Sequence, residues 1–301
     1  MTFTAFWLIL LSVLLHVSWN LISKASKPSA AFYLITSLAA GVVSIPFLLC
    51  SGVDFSKLPG NFWLYFAGGS CANILYYSGL FLAYKRSDIS LAYPLIRALP
   101  IVLTAIVTTL LGIGKAPSPI ALAGMFIVFC GCLLMPLAKW SDFRLKSYFT
   151  PVIGTILMAA TGTTSYTILD SLAIPIFMEN ATSSKLVSCG AFMCILEFII
   201  ALGLAPYLLI QEERNNFKAL FTHSLAPYLS GIFTVGAYVL VLLAMPMVTN
   251  VSFVQVFRQM GLPLGVAAGV LLLKEKCSSA KLAGILIIVL GLIITTLGKG
   301  A

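Results

Sequence analysis

Two arginines lie inside long apolar segments of the sequence, where a fixed charge calls for an explanation. Arg97 follows the run SLAYPLI, and Arg258 follows the run VSFVQVF. An arginine at the centre of a membrane-spanning helix costs about 2.5–3.5 kcal/mol on the insertion scale, unless it faces a cavity, an acid or the interface. Its planar fork of donors suits a carboxylate or a phosphate. The two arginines are therefore candidate sites for the charged end of a substrate; the competing interpretation is that they pack helices or extend to the membrane surface.

Polar and aromatic residues in the other apolar segments supply further candidates for a binding site. Tyr93 precedes Arg97 by four residues and shares its helical face, and Gln255 precedes Arg258 by three. The remaining candidates for substrate contact are Trp19, Asn20, Tyr77, Tyr166 and Tyr238. Rings with a polar tip and side-chain amides suit an amphiphilic substrate. The same residue types also anchor helices at the interface or pack them together, so both interpretations stay open.

Two titratable residues within the apolar segments are candidates for binding and releasing a proton. Glu197 is interpreted as the only acid deep within a span, where it binds a proton, pairs with an arginine or bonds a neighbouring helix. His16 lies about halfway along the first apolar segment, and a histidine titrates near neutral pH. A lone histidine also serves as a hydrogen-bonded packing residue, which is the alternative for His16.

The sequence predicts neither an enzyme nor a metal or cofactor site. The chain has two histidines, and one of them is in a polar loop, so no cluster of nucleophile and base is indicated. Its seven cysteines fall mostly inside apolar runs, and the Cys130-Gly131-Cys132 pair has no histidine nearby. A phosphate-binding loop for ATP and a repeated filter motif of a channel are both missing from the sequence.

Composition places the chain in a lipid bilayer. Of 301 residues, 60% are hydrophobic and 9% are charged, against about 25% charged in an ordinary soluble domain. The mean hydropathy is +1.06. This composition excludes a soluble enzyme, a nucleic-acid-binding protein and a disordered scaffold. The net charge of +9 is spread over short loops, without the basic run that would follow a nucleic-acid backbone.

Hydropathy predicts an all-α integral membrane protein with ten transmembrane helices. A spanning helix needs about 20 mostly apolar residues. The ten predicted spans are 4–23, 30–50, 61–84, 89–113, 118–138, 148–170, 184–210, 224–245, 249–273 and 279–298. A polar linker at 139–147 divides them into a first five-helix repeat at 1–138 and a second at 148–301.

The two halves resemble each other in sequence. Arg97 and Arg258 are 161 residues apart, and Gly131 and Gly291 are 160 apart, each pair at a corresponding place in its half. Because each half has an odd number of spans, the second must enter the membrane from the opposite side. The prediction is an inverted repeat of the kind found in secondary transporters, with the substrate site between the repeats.

Several short patterns resemble the EamA-type permeases of the drug/metabolite transporter superfamily. The patterns are His16-Val17-Ser18-Trp19-Asn20 with Lys24, Tyr93-Pro94 with Arg97 and Pro100, Thr161-Gly162 with Tyr166, Thr167 and Asp170, and Glu275 with Leu282-Ala283-Gly284. The resemblance implies a monomeric secondary transporter of a bacterial inner membrane. It would export small metabolites, such as amino acids or related organic anions, by alternating access. The alternative is a flippase for a lipid-linked sugar, or a nucleotide-sugar/phosphate antiporter of the same fold.

The distribution of basic residues predicts the orientation of the chain. The odd-numbered connections between spans contain 12 of the 18 lysines and arginines, and the even-numbered connections and tails contain four. By the positive-inside rule, the odd-numbered connections are cytoplasmic and both termini are outside. The family resemblance implies cytoplasmic termini instead, and we favour the charge distribution.

Overall fold

The computed structural model describes residues 2–26, 29–86, 89–137, 139–142, 152–274 and 277–298. Side chains are described for these residues except at 24–25, 86, 89–93 and 272–273. The predicted linker 139–147 therefore lies largely outside the described residues, as does the side chain of Tyr93.

Helices account for nearly all of the described chain, and no strand occurs in it. They are α1 Phe3–Ala25, α2 Ala30–Leu49, α3 Gly60–Arg86, α4 Ile89–Leu110, α5 Pro119–Leu134, α6 Ile153–Glu179, α7 Lys185–Leu204, α8 Gln211–His223, α9 Ala226–Ala244, α10 Ser252–Phe257, α11 Gly261–Leu273 and α12 Ser279–Leu297. The all-α prediction is confirmed.

Six segments of the described chain are long and apolar enough to cross a membrane. They are Phe3–Ser23, Ala30–Leu49, Lys185–Leu209, Ala226–Met247, Ser252–Leu271 and Ser279–Leu297. Two further apolar helices, Pro94–Leu110 and Pro119–Leu134, are shorter. Helices α3 and α6 have 27 residues each but carry more polar side chains.

The outer surface of the bundle is apolar. Leu49, Leu110, Leu202 and Leu271 each expose between 74% and 79% of their surface. A water-soluble protein rarely exposes so much contiguous apolar surface, whereas lipid chains solvate it well. The protein is therefore embedded in a membrane.

Four helix pairs form the main contacts of the bundle: α3 with α6, α1 with α9, α2 with α7, and α5 with α12. The α3–α6 pair is especially close. A Cβ atom added to Gly79 would lie 2.6 Å from the backbone nitrogen of Ala159, and one added to Gly162 would lie 2.6 Å from that of Tyr76. Glycine on both helices thus lets the two backbones touch, as is common between helices in lipid.

Helix α6 is longer than the sequence predicted. The span was predicted to end at Asp170, but the helix continues through Pro175 to Glu179. Asp170 is consequently inside the helix and has no solvent exposure. The interpretation of Glu197 as the only acid deep within a span is therefore wrong. Asp170 is a second acid buried inside a long helix, where its carboxylate accepts a hydrogen bond from Tyr238.

Two other segments differ from the predicted spans. The polar connection between the predicted seventh and eighth spans folds as α8, which has Glu212 and Glu213 in its first turn, where the helix dipole favours acids. The predicted span 249–273 is divided into α10, a 3-10 turn at Arg258–Met260, and α11. Pro263 has no N–H to donate to the carbonyl of Gln259, which explains why the α-helical pattern is interrupted there.

Candidate functional site

A small polar cavity of about 40 Å³ lies at the centre of the bundle. We call it the central cavity. It is lined by His16, Trp19, Asn73, Tyr76, Tyr77, Tyr166, Leu196, Glu197, Thr234, Ala237, Tyr238 and Arg258. These residues come from α1, α3, α6, α7, α9 and the turn between α10 and α11. Its volume suits a few water molecules and is well below the roughly 300–1,000 Å³ of a typical ligand pocket.

The imidazole of His16 lies between two side chains that can only donate hydrogen bonds. The Nε1 atom of Trp19 is 2.9 Å from Nδ1 of His16, and Nη1 of Arg97 is 2.8 Å from Nε2. A neutral imidazole accepts at one nitrogen only, and an imidazolium accepts at neither. At most one of these two contacts is therefore a hydrogen bond accepted by a neutral His16, and an added proton would remove that acceptor.

Arg97 connects two residues that line the central cavity, His16 and Arg258. Its Nη2 atom donates to the backbone oxygen of Arg258 at 2.8 Å. This bond ties α4 to the interrupted segment between α10 and α11, and the contact with His16 ties α4 to α1. Arg258 is a lining residue of the central cavity, whereas Arg97 is not among its described lining residues.

The guanidinium of Arg258 lies against aromatic side chains. Its Cζ atom is 6.0 Å from the centre of the Tyr238 ring, within the range of a cation–π contact. The Tyr166 side chain is a hydrogen-bond partner of the same guanidinium. Arg258 is thus buried at the cavity wall, with donors left for a further acceptor because a guanidinium carries five N–H groups.

A row of five tyrosines connects four helices through the centre of the bundle. Ring centres are 5.2 Å apart for Tyr33 and Tyr77, 5.0 Å for Tyr77 and Tyr76, 5.7 Å for Tyr76 and Tyr166, and 5.9 Å for Tyr166 and Tyr238. The sequence indicated Tyr77, Tyr166 and Tyr238. It missed Tyr33, which follows the start of α2 so closely that it is typical of an interfacial anchor.

Glu197 and Asp170 are acids buried inside the bundle. Glu197 lines the central cavity, and its Oε2 atom has no hydrogen-bond partner among the described residues. Asp170 accepts a hydrogen bond at Oδ2 from the Tyr238 hydroxyl, with the oxygens 2.5 Å apart. In the sequence, Asp170 stands out only as part of the family resemblance. The long apolar run that follows it is the signal that could have placed it inside a helix.

The other predicted site residues take up different places. The amide of Asn20 donates to the backbone oxygen of His16 in its own helix at 2.7 Å. Gln255 is buried but is not among the described residues that line the central cavity, and its backbone oxygen accepts from the Gln259 amide at 3.0 Å. Trp19 lines the central cavity.

At one end of the bundle, hydrogen bonds join segment 50–59 to segment 180–184 and segment 111–118 to segment 245–251. We call this end the closed face. Backbone hydrogen bonds join Ser183 to Ser51 at 3.2 Å and Lys115 to Thr249 at 2.8 Å. The side chain of Asn250 adds three bonds. Its partners are the Thr108 hydroxyl at 3.1 Å, the Ile113 carbonyl at 3.0 Å and the Ser252 N–H at 2.9 Å.

The opposite end, which we call the open face, contains a cavity of about 550 Å³ beneath α8. Its lining residues are Ser26, Ser29, Phe81, Tyr84, Lys85, Glu212, Glu213, Asn216, Ala219 and Leu220. Helix α8 is held by Glu213, which is buried and accepts from the backbone N–H of Ala31 at 3.0 Å. An exposed ion pair of 2.6 Å joins Glu212 to Lys85. This cavity has the volume of a ligand-binding vestibule.

Comparison with known proteins identifies the fold but not a family. No protein-family profile and no curated protein sequence matches the chain. Among solved structures, 28 chains match. One of them, described only as "Crystal structure of protein", superposes with a TM-score of 0.71 over 99% of this chain and 98% of that chain. Its sequence identity is 18%, so the similarity concerns the fold alone.

Proposed function

We propose that this chain is a secondary transporter that exports small metabolites, such as amino acids or related organic anions, by alternating access across a bacterial inner membrane. The observation that carries the proposal is the central cavity. It combines a buried guanidinium, a buried carboxyl group and aromatic rings inside a membrane-embedded bundle, between a closed face and an open face. The resemblance to EamA-type permeases agrees with this role.

The polar groups of the central cavity suit a substrate with charges of both signs. Arg258 offers donors to a carboxylate, and Glu197 offers an acceptor to an ammonium group. The rings of Trp19, Tyr77 and Tyr238 would cover the apolar part of the same molecule. Amino acids have this combination of groups, and organic anions have part of it.

The helix contacts support the proposed arrangement of ten spans in two inverted repeats. If the spans are counted along the chain, a twofold operation exchanges the first with the sixth, the second with the seventh, and so on. It then exchanges the α1–α9 contact with the α3–α6 contact and maps α2–α7 and α5–α12 onto themselves. These four pairs are the main contacts observed.

The row of tyrosines marks a proposed route between the vestibule and the central cavity. The Tyr33 hydroxyl is 3.4 Å from the Ser23 hydroxyl, one helical turn before Ser26 of the vestibule. The neighbouring ring, Tyr77, lines the central cavity. Because the central cavity is too small for an amino acid, loading a substrate requires these rings to separate.

Transport by the purified chain tests the proposal. Proteoliposomes preloaded with single amino acids or organic anions should accumulate the matching radiolabelled compound by counterflow. Arg258→Gln should weaken binding by roughly tenfold or more, because bonds to a charged group contribute about 1.5–3 kcal/mol. The matched control is Arg214→Gln, since Arg214 is exposed and bonds the Leu208 carbonyl outside the central cavity.

The same vesicles separate the proposal from its alternatives. Counterflow of an amino acid or organic anion that is lost in Arg258→Gln but kept in Arg214→Gln supports it. Translocation of a lipid-linked sugar or a nucleotide sugar, without counterflow of any amino acid or organic anion, would overturn it in favour of the alternatives. Equal transport by Arg258→Gln and the parent protein would remove Arg258 from the site.

A further inference from the structure

Asp170 is a buried acid that substrate binding, as proposed above, does not use. We propose that Asp170 is a proton-binding site that exchanges its proton with the central cavity through the hydroxyl of Tyr238. The proton then travels with the carboxylate of the substrate. The second part of the inference rests on the proposed transport function, and the first part does not.

The surroundings of Asp170 favour the protonated form of its carboxyl group. Its side chain has no solvent exposure, and its Oδ1 atom has no hydrogen-bond partner among the described residues. The ion pairs found in the described part of the chain do not include it. A carboxylate in such a place loses its hydration without gaining a cation, and protonation removes that charge.

The groups that face Asp170 are mostly neutral. Helix α3 contributes the Asn73 amide and Gly69, where an added Cβ atom would lie 2.5 Å from Oδ1. Helix α9 contributes Tyr238. The charged groups on neighbouring elements have other described contacts. Glu197 on α7 lines the central cavity, Arg97 on α4 contacts His16 and bonds the Arg258 carbonyl, and Arg258 lies over the Tyr238 ring.

Tyr238 connects Asp170 to the central cavity. Its hydroxyl bonds Oδ2 of Asp170 and its side chain lines the cavity. A hydroxyl can donate and accept at once. When Asp170 carries its proton on Oδ2, this hydrogen bond reverses, so that the carboxyl donates to the Tyr238 oxygen and the Tyr238 hydroxyl donates to a water molecule in the central cavity. The Asp170 proton then passes to the Tyr238 oxygen while the Tyr238 proton passes to that water molecule. The balance is one carboxylate and one hydronium ion, and the tyrosine is unchanged.

Arg258 links this site to the substrate. It is the cation stacked on the ring of the tyrosine that bonds Asp170. A vacant guanidinium can stabilise an ionised Asp170, whereas a guanidinium occupied by a substrate carboxylate cannot do so as well. A substrate carboxylate and a proton on Asp170 therefore bind together, and the pair crosses the membrane with no net charge from these two groups.

Infrared spectroscopy of the purified full chain tests the proton site without any substrate. The carbonyl stretching band of a protonated carboxyl group should be present in the parent protein and weaker in Asp170→Asn. In Glu197→Gln, the matched control, the Asp170 component should remain. In Tyr238→Phe the band should remain but exchange its hydrogen for deuterium more slowly, and Tyr166→Phe should exchange at the parent rate.

Transport tests the coupling. Vesicles preloaded with the amino acid that gives the largest counterflow should release it faster when their interior is acidic than when the pH is equal on both sides. Asp170→Asn should release it at the same rate in both conditions while still showing counterflow. An unchanged infrared band in Asp170→Asn would overturn the proton site, and a retained pH effect would overturn the coupling. If no compound on the panel is transported, the proposed function fails, and the infrared result still decides the proton site.

Discussion

The closed face and the open face are held together by different kinds of contact. At the closed face, backbone groups of one connection bond backbone groups of another, and the buried Asn250 amide completes the seal. At the open face, the Glu213 carboxylate of α8 accepts from the start of α2, and one exposed ion pair among the described residues joins α8 to α3 over a large cavity. We therefore expect α8 to separate from its neighbours more easily than the connections of the closed face, where several hydrogen bonds must break together.

The largest effect is expected from Gly114→Ala at the closed face. Gly114 has a φ of +71°, and an added Cβ atom would lie 2.6 Å from the backbone oxygen of Thr249. The left-handed backbone costs about 1–2 kcal/mol for a residue with a Cβ atom, and the backbone clash adds to it. The thermal unfolding midpoint in detergent should fall sharply. Gly112→Ala is the matched control, because its φ of +65° gives the same strain but nothing lies within 4 Å. An equal fall of the unfolding midpoint in both variants would show that the close approach of Gly114 to Thr249 does not stabilise the closed face.

The next effect concerns Asn250→Ala, which removes three buried hydrogen bonds from the closed face. At about 1 kcal/mol each, the loss should be roughly 2–4 kcal/mol. The closed face should then open more often. A cysteine at the buried position Ser252, in a background without the native cysteines, should react faster with a thiol reagent. Asn61→Ala, at an exposed position of α3, should leave the reaction slow. No change in Asn250→Ala would contradict the proposed role of this side chain.

A smaller effect is expected from Glu213→Ala at the open face. The variant leaves the N–H of Ala31 without its acceptor at the start of α2, and such caps contribute about 0.5–2 kcal/mol. Hydrogen exchange in 211–223 should become faster, because α8 loses its buried anchor. Glu213→Gln keeps an acceptor oxygen and should exchange at an intermediate rate. Unchanged exchange in Glu213→Ala would mean that other contacts hold α8.

The smallest effect is expected from Lys85→Ala, which breaks the exposed ion pair with Glu212. The side chains of Lys85 and Glu212 are 48% and 62% exposed, and an exposed ion pair contributes about 0–1 kcal/mol to the free energy of unfolding. The unfolding midpoint should change little, and added salt should remove the difference. Lys57→Ala breaks the exposed pair with Asp54 at the closed face and should behave alike. A large fall of the unfolding midpoint in Lys85→Ala, without one in Lys57→Ala, would show that the open face is held more firmly than this comparison assumes.

The sequence predicted the helical class and most helix positions, because long apolar runs between charged loops leave few alternatives in a bilayer. It misplaced the end of α6 at Asp170, because the sequence does not show that the Tyr238 hydroxyl from another helix bonds this carboxylate. It also gave a loop where α8 forms, although Glu212 and Glu213 are typical of a first helical turn.

The candidate site was predicted only in outline for a related reason. The depth of Arg97 and Arg258 in their spans is visible in the sequence, as is the aromatic content of the neighbouring segments. The pairing of Arg97 with His16 and with the Arg258 carbonyl depends on how helices pack, so spacing along one helix could not reveal it. The same holds for the row of tyrosines, whose members come from four helices.

The size of the central cavity has a consequence for the electrical insulation of the cell. A continuous file of water through a membrane protein would let ions and protons leak and discharge the membrane potential. About 40 Å³ accommodates only a few water molecules, and hydrogen bonds join neighbouring connections at the closed face beyond it. At this size, the central cavity does not provide a wide water-filled passage around the buried charged side chains of the bundle.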